Sequence, residues 1–418
     1  MQTRSKNVIV IVDGWASGRY LAPAFVGRGY DCIHVSSTDK TSHAGYRKSD
    51  YIDNFELESS TPSAILERLR GYSIKAIVPG CESGVVLADL LANNFDVPRN
   101  DATTTQARRN KYHMIEALRK AGVSSMKQFA SESISEILAW YTASELKTVI
   151  VKPTMGCRSD GVALCSNAAE IESTLVSNHG KLNVMGVVNT EFVIQERLEG
   201  IELMVNSVSC GGDHFVTDMW IGVGGIKNRI STDEYAELIM RGTEIFETVE
   251  RYVIDMLDAI GVRNGAAHSE VMLTVNGPRL IECGARLTGA QLFAAVEEAQ
   301  GYSQLSMTVE TVLNPGQFRI RADALRKSNQ RNLRFVYMCS KSDGYLVNDL
   351  DLSQFDQLAT LERMIVFPRI GEYLPKTHDT VGRPGYAFLL SDDNQALDMD
   401  YLRFRELESK MFQDALDA

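Results

Sequence analysis

The first hundred residues alternate two patterns. Residues 8–12 form an unbroken β-branched run, as expected of a strand buried on both faces. Asp13-Gly14 breaks the run, and Tyr20, Leu21, Ala24 and Phe25 then recur at helical spacing over residues 18–28. Residues 32–35 predict a second strand, 62–71 a helix and 75–78 a later strand. Such alternation predicts a parallel, doubly wound sheet, with ligands beyond the carboxyl ends of its strands. Asp13, Gly14 and Trp15 then lie at the ligand edge, as does the turn at 79–84 that contains Glu82.

Residues 103–122 read as one helix, with Met114, Ile115, Leu118 and Ala121 on one side and Gly122 closing it. A second helix is predicted at 133–141, followed by strands at 148–152, 191–196 and 201–210. The Gly- and charge-rich stretch 222–235 reads as a mobile loop, and 237–260 as an amphipathic helix. Residues 268–275 and 279–283 alternate on either side of Asn276-Gly277, which predicts a hairpin. Beyond 320 the pattern gives short strands and turns, ending in a helix near 400–415.

Composition narrows the function classes. At 418 residues, with 44% apolar and 23% charged, the chain has material for two to four domains with ample core. Forty-three Lys and Arg against 54 Asp and Glu leave a net charge of −11. That balance opposes a broad nucleic-acid or anionic-membrane surface, but not one basic pocket for a small anion. The seven cysteines (32, 81, 157, 165, 210, 283 and 339) show no metal-ligand spacing, so reduced thiols are expected. No apolar run approaches the ~18 residues of a membrane span, and the first apolar run reads as a strand rather than a signal peptide. A cytoplasmic protein is the expectation.

Glu270 and Glu282 stand twelve residues apart on the two hairpin arms. Paired residues share a face, so an even index sum is required, and hence a loop with an odd number of residues. A three-residue loop would leave the carboxylates about 5–8 Å apart. Two carboxylates at that distance call for a cation, and hard oxygen ligands with phosphate suit Mg²⁺; otherwise they are a solvated pair on an exposed strand. Val271, Leu273, Leu280 and Ile281 argue that one hairpin face is buried.

Lys152 ends an apolar strand and is followed by a loop containing Gly156, Ser159 and Gly161. A strand-end cation followed by backbone N–H groups can meet phosphate oxygens; a plain hairpin loop is the other reading. Neither GxxxxGK[ST] nor GxGxxG occurs, which removes the P-loop and the dinucleotide fingerprint. The connection from Glu196 through Leu198 to Glu202 joins two strands and can present backbone groups to a base and a carboxylate to ribose. Arg286, four residues after Glu282, is placed to contact a phosphate or carboxylate.

Taken in order, these pieces resemble the ATP-grasp enzymes: Lys111 on a helix, Lys152 with its glycine loop, QERLEGIE at 195–202, HSEV at 268–271 and LIECGAR at 280–286. Among them the chain looks most like the L-amino-acid ligases, on PGCESGVVLADLLA in the first domain and DTVGRPGYAFLL at 379–390. The resemblance implies an α/β fold, α+β in its C-terminal part. It comprises a Rossmann-like pre-ATP-grasp domain at 1–108, an N-terminal ATP-grasp subdomain with a glycine-rich lid at 109–195, and a C-terminal subdomain with the metal site and tail at 196–418.

Carried over by position, the resemblance implies ATP and Mg²⁺, with Mn²⁺ as an acceptable substitute. Lys111, Lys152 and the loop with Gly156, Ser159 and Gly161 would meet the phosphates. Glu196 and Leu198 would meet adenine through their backbones, and Glu202 the ribose. Glu270 and Glu282 would hold metal, and Arg286 would stabilise the transferring phosphate. Glu82 would meet the amino group of the first substrate, His268 would either touch substrate or be a satisfied core histidine, and Ala290 would line the acyl-substrate pocket. Gly284 stands where relatives often have Asn, which removes one oxygen ligand. Together Lys111, Lys152 and Arg286 are expected to make one positive cleft in an acidic molecule. The expected partners are small amino-acid substrates, with no nucleic acid or membrane, and relatives of this kind are often homodimers. The expected reaction joins one amino acid's carboxylate to another's amine through an acyl phosphate. A purine- or biotin-type carboxylase and a non-catalytic nucleotide binder are the rivals.

Overall fold

The apolar run at 8–12 becomes the centre of a four-stranded parallel sheet. In the computed structural model, which describes residues 6–38, 45–57, 61–156, 159–224, 226–227, 230–231, 234–289, 293–378 and 382–416, this sheet comprises β1 (Lys6–Val12), β2 (Asp31–Ser36), β3 (Asp53–Glu56) and β4 (Ser73–Pro79), in the order β3-β2-β1-β4. Every residue from Val8 to Val12 is fully buried. Val8, Val10 and Val12 pack with Ile65 and Leu69 of α2 (Pro62–Leu69) and with Leu87 and Leu91 of α3 (Val85–Ala92). The helical spacing at 18–28 resolves into a 3₁₀ turn and the short α1 (Leu21–Val26). The four-residue β3 is too short and polar to announce itself in the sequence pattern.

The order of strand addition reverses at β1, with β2 on one side and β4 on the other, and such a point opens a crevice at the carboxyl edge. The backbone is drawn tight there. A Cβ on Gly80 would lie 2.4 Å from the Asp13 carbonyl oxygen, and one on Gly18 would lie 2.6 Å from Gly80 itself. Asp13 closes the edge by accepting bonds from Ser37 N at 2.7 Å, from Ser37 Oγ and from Ser83 Oγ. Ser83 is the neighbour of Glu82, so this staple holds the Glu82 turn against β1.

The expected helix at 103–122 is in fact two. A 3₁₀ segment (Ala102–Arg108) gives way to α4 (Lys111–Lys120), because Asn110 leaves helical geometry and caps α4 through its side chain at 2.9 and 3.1 Å. A second sheet follows, antiparallel, in the order β5-β8-β6-β7: β5 (Gln128–Ser131), β6 (Val149–Pro153), β7 (Ala163–Cys165) and β8 (Phe192–Glu196). Val149 and Val151 turn toward α5 (Ile134–Ser144) and α6 (Ala168–Asn178), which sends the alternate residue, Lys152, to the other face.

The chain divides into two units that interleave along the sequence: residues 1–217, 247–291 and 304–325, and residues 218–246, 292–303 and 326–418. The first holds both sheets above and the strand order β15-β14-β9-β10, with β9 (Ile201–Cys210), β10 (Asp213–Val223), β14 (Gly265–Thr274) and β15 (Gly277–Gly284). In the second, the residues of β10 from Asp218 on continue to β13 (Tyr235–Leu238), β16 (Asn332–Tyr337), β20 (Gly385–Ser391) and β18 (Leu361–Val366). It also holds two small two-stranded pieces, β11 with β12 (Ile226–Lys227, Ile230–Ser231) and β17 with β19 (Gly344–Tyr345, Tyr373–Leu374). The long C-terminal helix (Asn394–Ala415) buries Leu397, Phe404, Leu407 and Met411 against this sheet.

The helix expected at 237–260 starts later, as α7 (Glu244–Ala259). Residues 235–238 pair instead as β13, with Leu238 opposite Trp220 and Ala236 opposite Phe335. Tertiary pairing thus overrides the local amphipathic pattern. The loop expected at 222–235 falls partly outside the described residues. Among the described residues, no helix is long and apolar enough to cross a membrane.

One buried ion pair joins the elements of the first unit. Arg108 is fully buried; it bonds Asp89 at 2.6 Å, Thr104 Oγ1 at 2.8 Å and the carbonyls of Asp101, Ile260 and Gly261 at 2.8–3.0 Å. Removing one partner of such a pair leaves an uncompensated buried charge. Arg108→Met should therefore destabilise the protein by about 3–5 kcal/mol in urea unfolding, with part regained when Asp89→Asn is added. A loss below about 1 kcal/mol would contradict this accounting.

Candidate active site

The hairpin that carries the two glutamates solves the parity problem in an unexpected way. Its loop has two residues, Val275 and Asn276, not the odd number expected, and pairing from Thr274–Gly277 to Val271–Leu280 follows that even loop. Ile281 is then an extra residue, a β-bulge, after which Glu270 stands directly opposite Glu282. The bulge, not the turn, brings both carboxylates to one face. β15 is an edge strand, and its outward N–H groups are satisfied by neighbours. Leu280 N donates to Tyr252 Oη at 2.7 Å, and Cys283 N lies 3.2 Å from Met114 Sδ on α4. Tyr252 in turn donates to the Ser124 carbonyl at 2.8 Å. Of the expected buried face, Val271 and Leu280 are fully buried, while Leu273 and Ile281 are only partly so.

Alternation puts His268, Glu270 and Met272 on the face opposite buried Ser269 and Val271. Burial, with Glu282 and then Glu202 beside it, pushes the Glu270 carboxyl up to about 7, against the pull of Lys152 and Arg286. His268 is pushed down to about 3, first by burial and then by Arg286. Its ring is neutral at physiological pH. Nδ1 lies 2.8 Å from Asn206 Oδ1 on the paired strand β9. Since an amide oxygen only accepts, Nδ1 carries the proton and Nε2 is left as an acceptor.

The lysines converge on the same face. The Asn110 break puts Lys111 at the first position of α4, where Nζ donates to the Gly156 carbonyl at 2.8 Å and pairs with Glu282 at 3.0 Å. This one side chain ties the glycine loop to the glutamate pair. Lys152 is buried, and burial holds its ammonium down to about 8; Lys111 adds to that effect, while Glu282 and Glu270 oppose it. In the loop, Ser159 and Gly161 have φ of 57° and 72°. Its centre, 157–158, lies outside the described residues. The loop is braced by Asn183, which donates to the Met155 carbonyl at 3.0 Å, and by Asp160, which accepts from Val184 N at 2.7 Å.

Glu196 donates its N–H to the Lys127 carbonyl at 2.9 Å, and its carboxylate accepts from Lys127 N at 3.1 Å. That N–H is committed within the protein, so only the Glu196 carbonyl can serve a base. Leu198 lies in the non-strand connection that follows, and Glu202 is an exposed residue of β9, paired with Met272 two positions from Glu270.

From the parallel sheet comes Glu82. One oxygen lies 2.5 Å from Arg109 Nη1 and the other 3.0 Å from Arg286 Nε. Burial works to raise its pKa, but Arg286, Arg109 and Lys111 together bring it below the usual carboxylate value. Arg109 is the partner that sequence reasoning missed; its only signal was adjacency to Lys111 in a basic run. Gly284 also gains a reason. A Cβ there would stand 2.6 Å from Glu82 Oε2, so the space beside this residue is taken by a carboxylate from another segment. Ala290 lies outside the described residues.

The expected positive cleft is instead balanced. Lys111, Lys152, Arg109 and Arg286 face Glu82, Glu202, Glu270 and Glu282. Among the described residues, no group of three or more His, Cys, Asp or Glu side chains converges as a complete metal site. Two opposed carboxylates, one of them costly to ionise alone, nevertheless fit a hard cation that draws its other oxygens from phosphate and water.

Comparisons with known proteins give the class of the chain as a whole. A family model for the ATP-grasp domain matches residues 108–290, and dapdiamide A synthase of Enterobacter agglomerans is 30% identical over 98% of this chain and 97% of that protein. The chain belongs to the ATP-grasp family of ligases. In fold it is similar to an L-amino acid ligase from Bacillus licheniformis (TM-score 0.72, 18% identity, 97% of this chain and 98% of that one). It is also similar to the ADP complex of N5-carboxyaminoimidazole synthetase from Staphylococcus aureus (TM-score 0.64, 14% identity, 97% and 99%).

The depressed Lys152 ammonium makes a pH prediction. Between about 8 and the ordinary lysine value of 10.5 the unfolded chain binds the extra proton, so folding stability rises with pH across that window. The stability of the wild type relative to Lys152→Met should therefore increase from about pH 8 to pH 10 in denaturant titrations. Parallel profiles for the two proteins would contradict the assignment.

Proposed function

We propose that this ligase joins the carboxylate of one amino acid to the amine of another, at the expense of ATP. The observation that carries the reading is the meeting of two kinds of group. The opposed Glu270 and Glu282, with Lys111 on Glu282, suit phosphoryl transfer, and beside them Glu82 is held against Arg286. Glu82 has a lone pair free on each oxygen after its arginine contacts, which suits the ammonium of an amino acid.

In the proposed reaction a carboxylate oxygen of the first amino acid attacks the γ-phosphorus of ATP. The new O–P bond forms as the bond to ADP breaks, giving an acyl phosphate. The amine of the second amino acid attacks the acyl carbon, phosphate leaves with the C–O electron pair, and the amine loses a proton. Catalysis in this chemistry is mainly positioning and charge stabilisation. Lys111 and Lys152 offer cations to the phosphates, and Arg286 to the oxygens that gain charge. Gly156, Ser159 and Gly161 offer backbone over the phosphates, Glu196 and Leu198 hold adenine, and Glu202 the ribose. Mg²⁺ held by Glu270 and Glu282 would supply further neutralisation of phosphate charge. Similarity to dapdiamide A synthase along nearly the whole chain supports amide formation over carboxylation.

Phosphate release should be measured with ATP, Mg²⁺ and a grid of amino-acid pairs, with products weighed by mass spectrometry. The expected result is release that depends on two amino acids, with a product of their summed mass less water. Glu282→Ala should lower that rate by about a hundredfold or more while keeping the folded-state circular dichroism. Release that responds to bicarbonate and not to amino acids would overturn the reading.

A further inference from the structure

We propose that Arg109 is a positioning residue: acting through Glu82, it fixes the orientation of Arg286 and so the seat of the acid substrate. The inference rests on the ligase reading and adds to it a residue outside the phosphate and metal sets.

Three observations converge. First, Arg109 and Arg286 reach Glu82 from opposite ends of its carboxylate, at 2.5 and 3.0 Å, with the Arg109 side chain only 4% exposed. A guanidinium buried to that degree does not wander, and its charge-assisted bond is directional. Arg286 is 20% exposed and, among the described residues, donates besides Glu82 only to the adjacent Leu287 carbonyl at 3.1 Å. Glu82 is therefore its long-range anchor, and Arg109 anchors Glu82.

Second, the backbone is arranged to deliver Arg109. It occupies the two-residue break between the 3₁₀ segment and α4, with φ −136° and ψ −43°. Arg109 can thus turn to Glu82 while Lys111, two residues on, turns to Glu282. An unbroken helix would rotate positions two apart by about 200°, sending the two side chains to opposite sides.

Third, space is reserved for the carboxylate. Any side chain at Gly284 would collide with Glu82 Oε2 at 2.6 Å, and the Glu82 turn is stapled at its other side by Ser83 to Asp13. Arg109 Nη2 also lies 3.3 Å from Met185 Sδ, in the Asn183-centred turn that braces the glycine loop. One guanidinium therefore touches the Glu82 segment and the segment behind the loop.

The test uses the full chain carrying Arg109→Met, Arg109→Lys, Glu82→Gln, and Arg109→Met with Glu82→Gln. With the amino-acid pair that the wild type turns over, Arg109→Met should raise KM for the acid substrate about tenfold and lower kcat about ten- to hundredfold, with KM for ATP changed less than about threefold. Arg109→Lys should recover part of the loss. Because Arg109 acts through Glu82, Arg109→Met should cost little more once Glu82→Gln is present. Independent, multiplying effects, or a kcat and KM for the acid substrate within about twofold of wild type in Arg109→Met, would overturn the proposal. A crystal structure of Arg109→Met decides the point without any assay: Arg286 leaving Glu82 supports it, and Arg286 unmoved overturns it. If the wild type releases no phosphate with any pair of amino acids, the ligase reading fails, and the Arg286 position still decides the role of Arg109.

Discussion

A β-strand shows alternate faces to its surroundings, and this period of two governs the whole site. Across a two-residue turn, residues 270 and 282 would face opposite ways. One extra residue, Ile281, reverses the parity of the distal half of β15 and sets Glu270 against Glu282. Lys111 can then pair with Glu282, and through the Gly156 carbonyl it joins the glycine loop to the hairpin. The bulge is supported from outside the sheet, by Tyr252 at Leu280 N and Met114 at Cys283 N. Helices α4 and α7 thus serve the site by satisfying an edge that would otherwise be open.

The same economy governs charge. Lys111, Lys152 and Arg286 were expected to form a positive cleft in a chain of net charge −11, yet the cations of the site are matched by carboxylates. Close opposite charges in a buried setting reduce the desolvation cost of each. They also leave the site organised before substrates arrive, so little rearrangement is required when phosphate oxygens compete for the lysines. Gly284 belongs to this balance. The space beside it is taken by the Glu82 carboxylate, which comes from the turn after β4.

Much of this was legible in the sequence, for identifiable reasons. The run at 8–12 named a doubly covered strand because burial on both faces removes alternation, and the turn with Glu82 followed from strand order. The motif residues Lys111, Lys152, Glu202, Glu270 and Glu282, far apart in the sequence, lie close enough to interact. What escaped reading depended on contacts between distant segments. The Ile281 bulge is set by packing on α4 and α7, β13 by pairing with β10 and β16, and the break at Asn110 by a side-chain cap within an otherwise helical pattern. Arg109 escaped because an arginine's partner is a tertiary fact, and Glu82 lies 27 residues away.

The central claim is that a substrate carboxylate is phosphorylated before an amine attacks it. Supplying the acid substrate with ¹⁸O in its carboxylate tests this directly, by mass analysis of the released inorganic phosphate. One labelled oxygen should pass into each phosphate formed, because the bridging oxygen of the acyl phosphate leaves with phosphorus. Phosphate free of label, formed together with the amide product, would contradict it.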